Sequence, residues 1–68
     1  MYVIHLALNQ RMFLSGVKQG GYCLNADIEQ ALEYKNEKDA ITATTKIANT
    51  NKEMWAYRLK EPIKKVNN

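Results

Sequence analysis

Two runs of apolar residues alternate with period two at opposite ends of this chain, and a helical pattern lies between them. The first is Tyr2-Val3-Ile4-His5-Leu6-Ala7-Leu8, followed almost at once by Arg11-Met12-Phe13-Leu14. The last is Glu53-Met54-Trp55-Ala56-Tyr57-Arg58-Leu59. Successive side chains of a strand point to opposite faces, so strict alternation over such lengths predicts half-buried strands. A hairpin at the start, a helix in the middle and a returning strand at the end is the layout this pattern demands.

Within the first strand, Tyr2, Ile4, Leu6 and Leu8 form the expected core face, and Val3, His5 and Ala7 the other. Asn9-Gln10 is the expected turn, because Asn tolerates positive φ. A return strand runs from Arg11 through Val17, with Gly16 marking a bulge or its end. Lys18-Gln19-Gly20-Gly21 is the clearest turn in the chain. Tyr22-Cys23-Leu24 then reads as a short third strand, and Asn25-Ala26-Asp27 as a second turn.

Asp27 with Gln30 resembles a capping box, while Ala31 to Lys35 suits a strand edge equally well. One helical turn at Asp27–Gln30 followed by an extended segment ending near Tyr34 is favoured. The main helix begins at Asn36, a good N-cap, with Glu37 and Asp39 in the first turn where the helix dipole favours acids. Its apolar stripe is read as Ala40, Ile41, Thr44, Ile47 and Ala48, and its polar face as Lys38, Thr42, Thr45, Lys46 and Asn49. In the closing strand Glu53, Trp55, Tyr57 and Leu59 share one face, and Met54, Ala56 and Arg58 the other. Pro62 removes a ladder donor and ends the pairing. The expected fold is α+β: a small antiparallel sheet made of the N-terminal hairpin, a short third strand and the C-terminal strand, packed against one main α-helix. Residues 1–61 form one domain and residues 62–68 a basic C-terminal tail.

With 68 residues there is one core and no room for a second. Yet 46% of the residues are hydrophobic. A domain this small buries a modest share of its surface and has no disulfide or metal cluster to staple it, so some apolar surface is expected to face a partner or a second copy of the chain. The net charge of +3 is mildly basic, compatible with an acidic partner and too small to be a nucleic-acid signature by itself. A single cysteine, Cys23, excludes an internal disulfide and implies no oxidising compartment. The first apolar run has no leading basic region and is broken by His5, Asn9, Gln10 and Arg11, so it is not read as a secretion signal. No stretch approaches the roughly 18 apolar residues of a membrane span. A cytoplasmic protein is expected.

Three features together resemble short uncharacterised proteins of phages and prophages of low-GC Gram-positive bacteria. One is the Met1-Tyr2-Val3-Ile4 strand and its hairpin, closed by Phe13-Leu14-Ser15-Gly16. Another is Ala31 and Tyr34, three apart, followed by residues 36–40, where an extended segment enters a capped helix at Asp39-Ala40. The third is the closing aromatic strand. The Lys- and Asn-rich, Arg-poor composition fits an AT-rich genome. The resemblance implies a small accessory protein without defined activity, acting by binding a host or anti-phage defence component.

No residue cluster spells out a reaction. His5 has no orienting partner in sequence and is read as a partly solvated strand residue. Cys23 is read as a small hydrophobe rather than a nucleophile. Gly16, Gly20 and Gly21 lack the spacing and the Lys-Ser/Thr of a phosphate loop. Glu29 and Glu33 sit four apart on an ordinary solvated surface. An enzyme is therefore not expected, and no cofactor or metal is called for. Tyr22, Trp55, Tyr57 and Arg58 are the candidate partner-binding residues, since Trp, Tyr and Arg dominate binding hot spots. Trp55 and Tyr57 also suit packing under the helix, the favoured reading for Trp55, which leaves Tyr22 and Arg58 as the better surface candidates. Lys60, Lys64 and Lys65 are the candidates for an alternative role in single-stranded nucleic-acid binding, against a solubilising tail. A third reading is an oligomer that sequesters a small nucleotide signal between subunits.

Overall fold

The structure is a computed structural model that describes residues 1–18, 21–51 and 53–60. The described residues form β1 (Tyr2–Leu6), β2 (Asn9–Lys18), β3 (Gly21–Asn25), a one-turn 3-10 helix (Ile28–Gln30), α1 (Glu37–Thr50) and β4 (Trp55–Leu59). The strands make one antiparallel sheet in the order β3-β2-β1-β4. The fold is therefore α+β, with the N-terminal hairpin, third strand and returning strand that the alternation demands. The 62–68 tail expected from the sequence lies outside the described residues.

β1 is the spine. Along one edge it pairs with β4 from Tyr2↔Leu59 to Leu6↔Trp55 without interruption. Directly paired residues share a face, so Tyr2, Ile4, Leu6, Trp55, Tyr57 and Leu59 lie on one side, and Val3, His5, Ala56 and Arg58 on the other. Along its other edge β1 meets β2 only near His5↔Phe13 and Leu6↔Asn9, with a register shift between them. Beyond that point the two strands diverge, and an extended segment enters the fork. The Leu32 amide donates to the Leu14 carbonyl of β2 at 3.0 Å, while Tyr34 exchanges both backbone hydrogen bonds with Tyr2 of β1 at 2.7 and 2.9 Å. The wedge satisfies backbone groups that the split ladder would otherwise orphan. The second half of β2 then pairs with β3 alone, through a bulge at Leu14/Gly16 that bends the resulting arm.

Both faces of the sheet are covered. On the helix side Ile4, Leu14 and Ile47 form the buried centre, with Tyr22, Leu32, Tyr34, Ala43, Trp55 and Tyr57 packed around it. On the other side Val3, Phe13 and Ala31 cluster beneath Ile28 of the 3-10 turn. His5, expected to be partly solvated, is only 5% exposed, because Phe13 packs edge-on against it at 6.4 Å on this second covered face. Its Nδ1 lies 2.7 Å from the Leu6 carbonyl, which can only accept, so that nitrogen carries the proton.

Local expectations are met at the caps. Asp27 accepts from the Glu29 amide and opens the 3-10 turn, and Asn36 accepts from the Asp39 amide and opens α1. Two expectations fail for identifiable reasons. The first turn is Ala7-Leu8, two residues earlier than Asn9-Gln10, so Leu8 leaves the core face and is 89% exposed. The helix buries Ala40 and Ile47 with Ala43 and Thr44 half-buried, leaving Ile41 and Ala48 outside. Ala43 packs against the Ile4–Leu14–Ile47 centre, which turns the buried stripe toward it and away from Ile41 and Ala48.

Truncating Leu14, 1% exposed at the fork, is expected to cost about 2–5 kcal/mol, a large part of the stability of so small a domain. Leu8→Ala, at the exposed turn, is expected to stay within about 0.5 kcal/mol. Urea unfolding of the two variants measures the contrast.

Candidate functional site

The arm bends over the same face that α1 covers. Tyr22 of β3 and Trp55 of β4 come from the two outer strands of the sheet, and their rings meet edge to face with centroids 4.9 Å apart at 89°. In a flat four-stranded sheet the edges stand about 14 Å apart, three strand spacings. The contact therefore requires the sheet to curl around the Ile4–Leu14–Ile47 centre. The indole Nε1 of Trp55 is buried and has no hydrogen-bond acceptor among the described residues.

Between the arm and the C-terminal half of α1 the curl leaves a cleft of about 350 Å³. Its floor is Leu14, Ala43 and Ile47. One wall is Val17, Lys18 and Gly21 of the arm; the other is Lys46, Thr50 and Asn51 at the end of the helix, with Tyr34 contributed by the wedge. Val17 is 64% exposed, an apolar side chain at the lip. Thr50 Oγ1 and Asn51 Nδ2 both donate to the Ile47 carbonyl, at 3.1 and 3.3 Å, and so close the helix end. Burial raises the pKa of Tyr34 above that of a free tyrosine, so its hydroxyl stays protonated and able to donate. Among the described residues neither Lys18 nor Lys46 is in an ion pair. Two cations thus face an apolar floor whose lining contains no histidine, cysteine or carboxylate. That lining is suited to holding a ligand.

The candidates read from sequence are distributed differently. Tyr22, Trp55 and Tyr57 gather on the helix side, half-buried against the core, where their rings form structure more than contact surface. The Tyr57 hydroxyl donates to Glu37 Oε2 at 3.1 Å, pinning the start of α1 to β4. Desolvation first, and then this bond, raises the Tyr57 pKa. Arg58 projects on the opposite face, its guanidinium 5.3 Å from the centre of the Phe13 ring. Lys60 is held by Glu33 at 2.7 Å and Glu29 at 3.4 Å, with 15% of its side chain exposed. It clasps the end of β4 to the segment after β3. Lys64 and Lys65 lie outside the described residues. Cys23 is half-buried. Among the described residues no three metal-binding side chains gather, and no helix is long and apolar enough to cross a membrane.

Lys18, Lys46 and Val17 were not singled out by sequence as site residues. Lys46 falls on the polar face of α1 and Lys18 reads as part of a turn. Only the fork, a long-range feature, brings them to one cleft. Scans of family models, curated proteins and solved structures return no match.

Two predictions follow from the packing and from the clasp. A double-mutant cycle of Tyr22→Ala and Trp55→Ala, read by urea unfolding, is expected to give a coupling of about 0.5–1.5 kcal/mol, as for other perpendicular aromatic pairs. Hydrogen bonding and attraction from Lys60 hold the Glu33 carboxyl below the usual carboxylate range. A depressed carboxyl stabilises the fold above its unfolded value, about 4, and that contribution fades as pH falls through the lower folded value. Wild type is therefore expected to exceed Glu33→Gln in stability at pH 7, with the gap closing on acidification below about pH 4.

Proposed function

We propose that this chain is a small, non-enzymatic accessory protein of the phage type that binds a host or anti-phage defence protein and modulates it, with the cleft between the β2–β3 arm and α1 as its contact. The observation that carries this is the cleft itself. It pairs an apolar floor with two lysines that have no ion-pair partner among the described residues, and the one histidine is packed away in the core. The accessible chemistry is that of recognition. The resemblance to phage and prophage proteins supports the choice of partner, and such a protein would act in the host cytoplasm. Leu8, Met54 and Leu59 are also exposed, at 89, 64 and 54%, and none lines the cleft. They are where a second copy of the chain would cover apolar surface.

A second reading, sequestration of a small nucleotide signal, draws support from the size of the cleft, which falls within the roughly 300–1,000 Å³ of small-molecule sites. The nucleic-acid reading has less behind it, because the ion pairs of Lys60 remove that cation from the surface it would need.

The test is capture of a partner from host lysate by wild type and by Val17→Gln, a neutral change at an exposed lip residue that leaves the core untouched. Gly21→Phe, at a lining position where an added Cβ meets no atom within 4 Å, gives a second variant. A specific partner retained by wild type and lost with both variants, with unchanged circular dichroism, is expected. A partner held equally by all three would place the contact elsewhere.

A further inference from the structure

We infer that the occupant of the cleft is an acidic segment of the partner protein, an apolar side chain flanked by carboxylates. This rests on reading the cleft as the partner contact and adds the chemistry of what enters it. Lys18 and Lys46 stand on opposite walls, one on the arm and one on the helix. Between them lies a floor of Leu14, Ala43 and Ile47, the first and last only 1 and 4% exposed. A ligand that covers this floor passes between two cations, and no acidic group of the lining competes for them. Four of the described carboxylates are engaged elsewhere, and none of the described ones lines the cleft. Glu29 and Glu33 hold Lys60, Glu37 holds Tyr57, and Asp27 caps the 3-10 turn.

The helix end decides between a peptide and a phosphate. The cleft lies beside the last turns of α1, where the dipole is negative and carbonyls without helical partners gather. A multiply charged phosphate is favoured at the opposite end of a helix, among backbone N–H groups. An extended peptide brings N–H donors to those carbonyls and places single charges at separate points. Two separate lysine point charges match that arrangement, whereas a phosphate draws on converging donors or an arginine fork.

Titration of the ¹⁵N-labelled protein with three capped peptides tests this. Each carries a Leu-Phe pair, flanked by glutamate, glutamine or lysine; adenosine monophosphate is titrated alongside. The glutamate peptide is expected to shift the amides of Val17, Lys18, Ala43, Lys46 and Ile47. It is expected to bind roughly three- to tenfold more tightly than the glutamine peptide, the yield of two exposed ion pairs, and to lose that margin in high salt. The double variant Lys18→Gln/Lys46→Gln, both exposed sites, should bind the glutamate and glutamine peptides alike. Equal binding of these two peptides by wild type, or preference for the lysine peptide, overturns the acidic occupant while leaving the cleft as contact. Tighter binding of adenosine monophosphate at the same amides overturns it in favour of a small anion. Absence of any shift at the cleft amides overturns it as well. Failure of the contact itself is read separately, from partner capture by Val17→Gln.

Discussion

Everything in this fold depends on the backbone of β1 being bonded along both edges while its side chains are buried on both faces. β4 supplies one edge over the full strand. The other is shared between β2 and the wedge at Tyr34. A strand so enclosed has Val3 and Ile4 fully buried on opposite sides. Those side chains are worth about 1.5–3 kcal/mol each when removed from water, a substantial share for a domain of this length. The cost of dividing one edge between two partners is a sheet that splits. The split is what frees the β2–β3 arm to bend.

The bend and the cleft are two aspects of one event. Once β2 leaves β1 it carries Tyr22 over the helix side, where the ring meets Trp55 from the far edge. The sheet curls, the core closes under α1, and the space left between arm and helix end becomes the cleft. The same wedge that fills the fork supplies Tyr34 to the lining. Structural and recognition features therefore share residues, and a small domain has few others to use. Charge follows the same division. The carboxylates near the 3-10 turn and the start of α1 are engaged with Lys60 and Tyr57, whereas the lysines beside the cleft are not paired among the described residues.

Much of the architecture was readable from local signals. Alternation placed β1 and β4, Asn36 and Asp27 marked the two helical starts, and the faces of β4 followed from period two. What escaped was long-range. The helix stripe centred on Ala43 rather than Ile41 because Ala43 packs against the Ile4–Leu14–Ile47 centre, a fact of packing rather than of hydrophobicity. His5 looked solvent-facing because a single strand cannot reveal that the segment after β3 returns to cover its second face. Lys18 and Lys46 looked like ordinary solvated cations, since nothing in their neighbours signals that the sheet forks. The aromatic residues drew attention as contact residues, and in a chain this short most of them are used to build the core.

The measurement closest to the centre of this account is native-state hydrogen exchange of the Tyr2, Leu32 and Tyr34 amides. If the wedge completes the β1 edge, all three amides are bonded within the core sheet and should exchange only with global unfolding, as slowly as the amides of Val3 and His5, which face β4. Rapid, loop-like exchange at Leu32 and Tyr34 with protection kept at Val3 and His5 would mean that the fork is not filled. The curled arm and the cleft built on it would then fall with it.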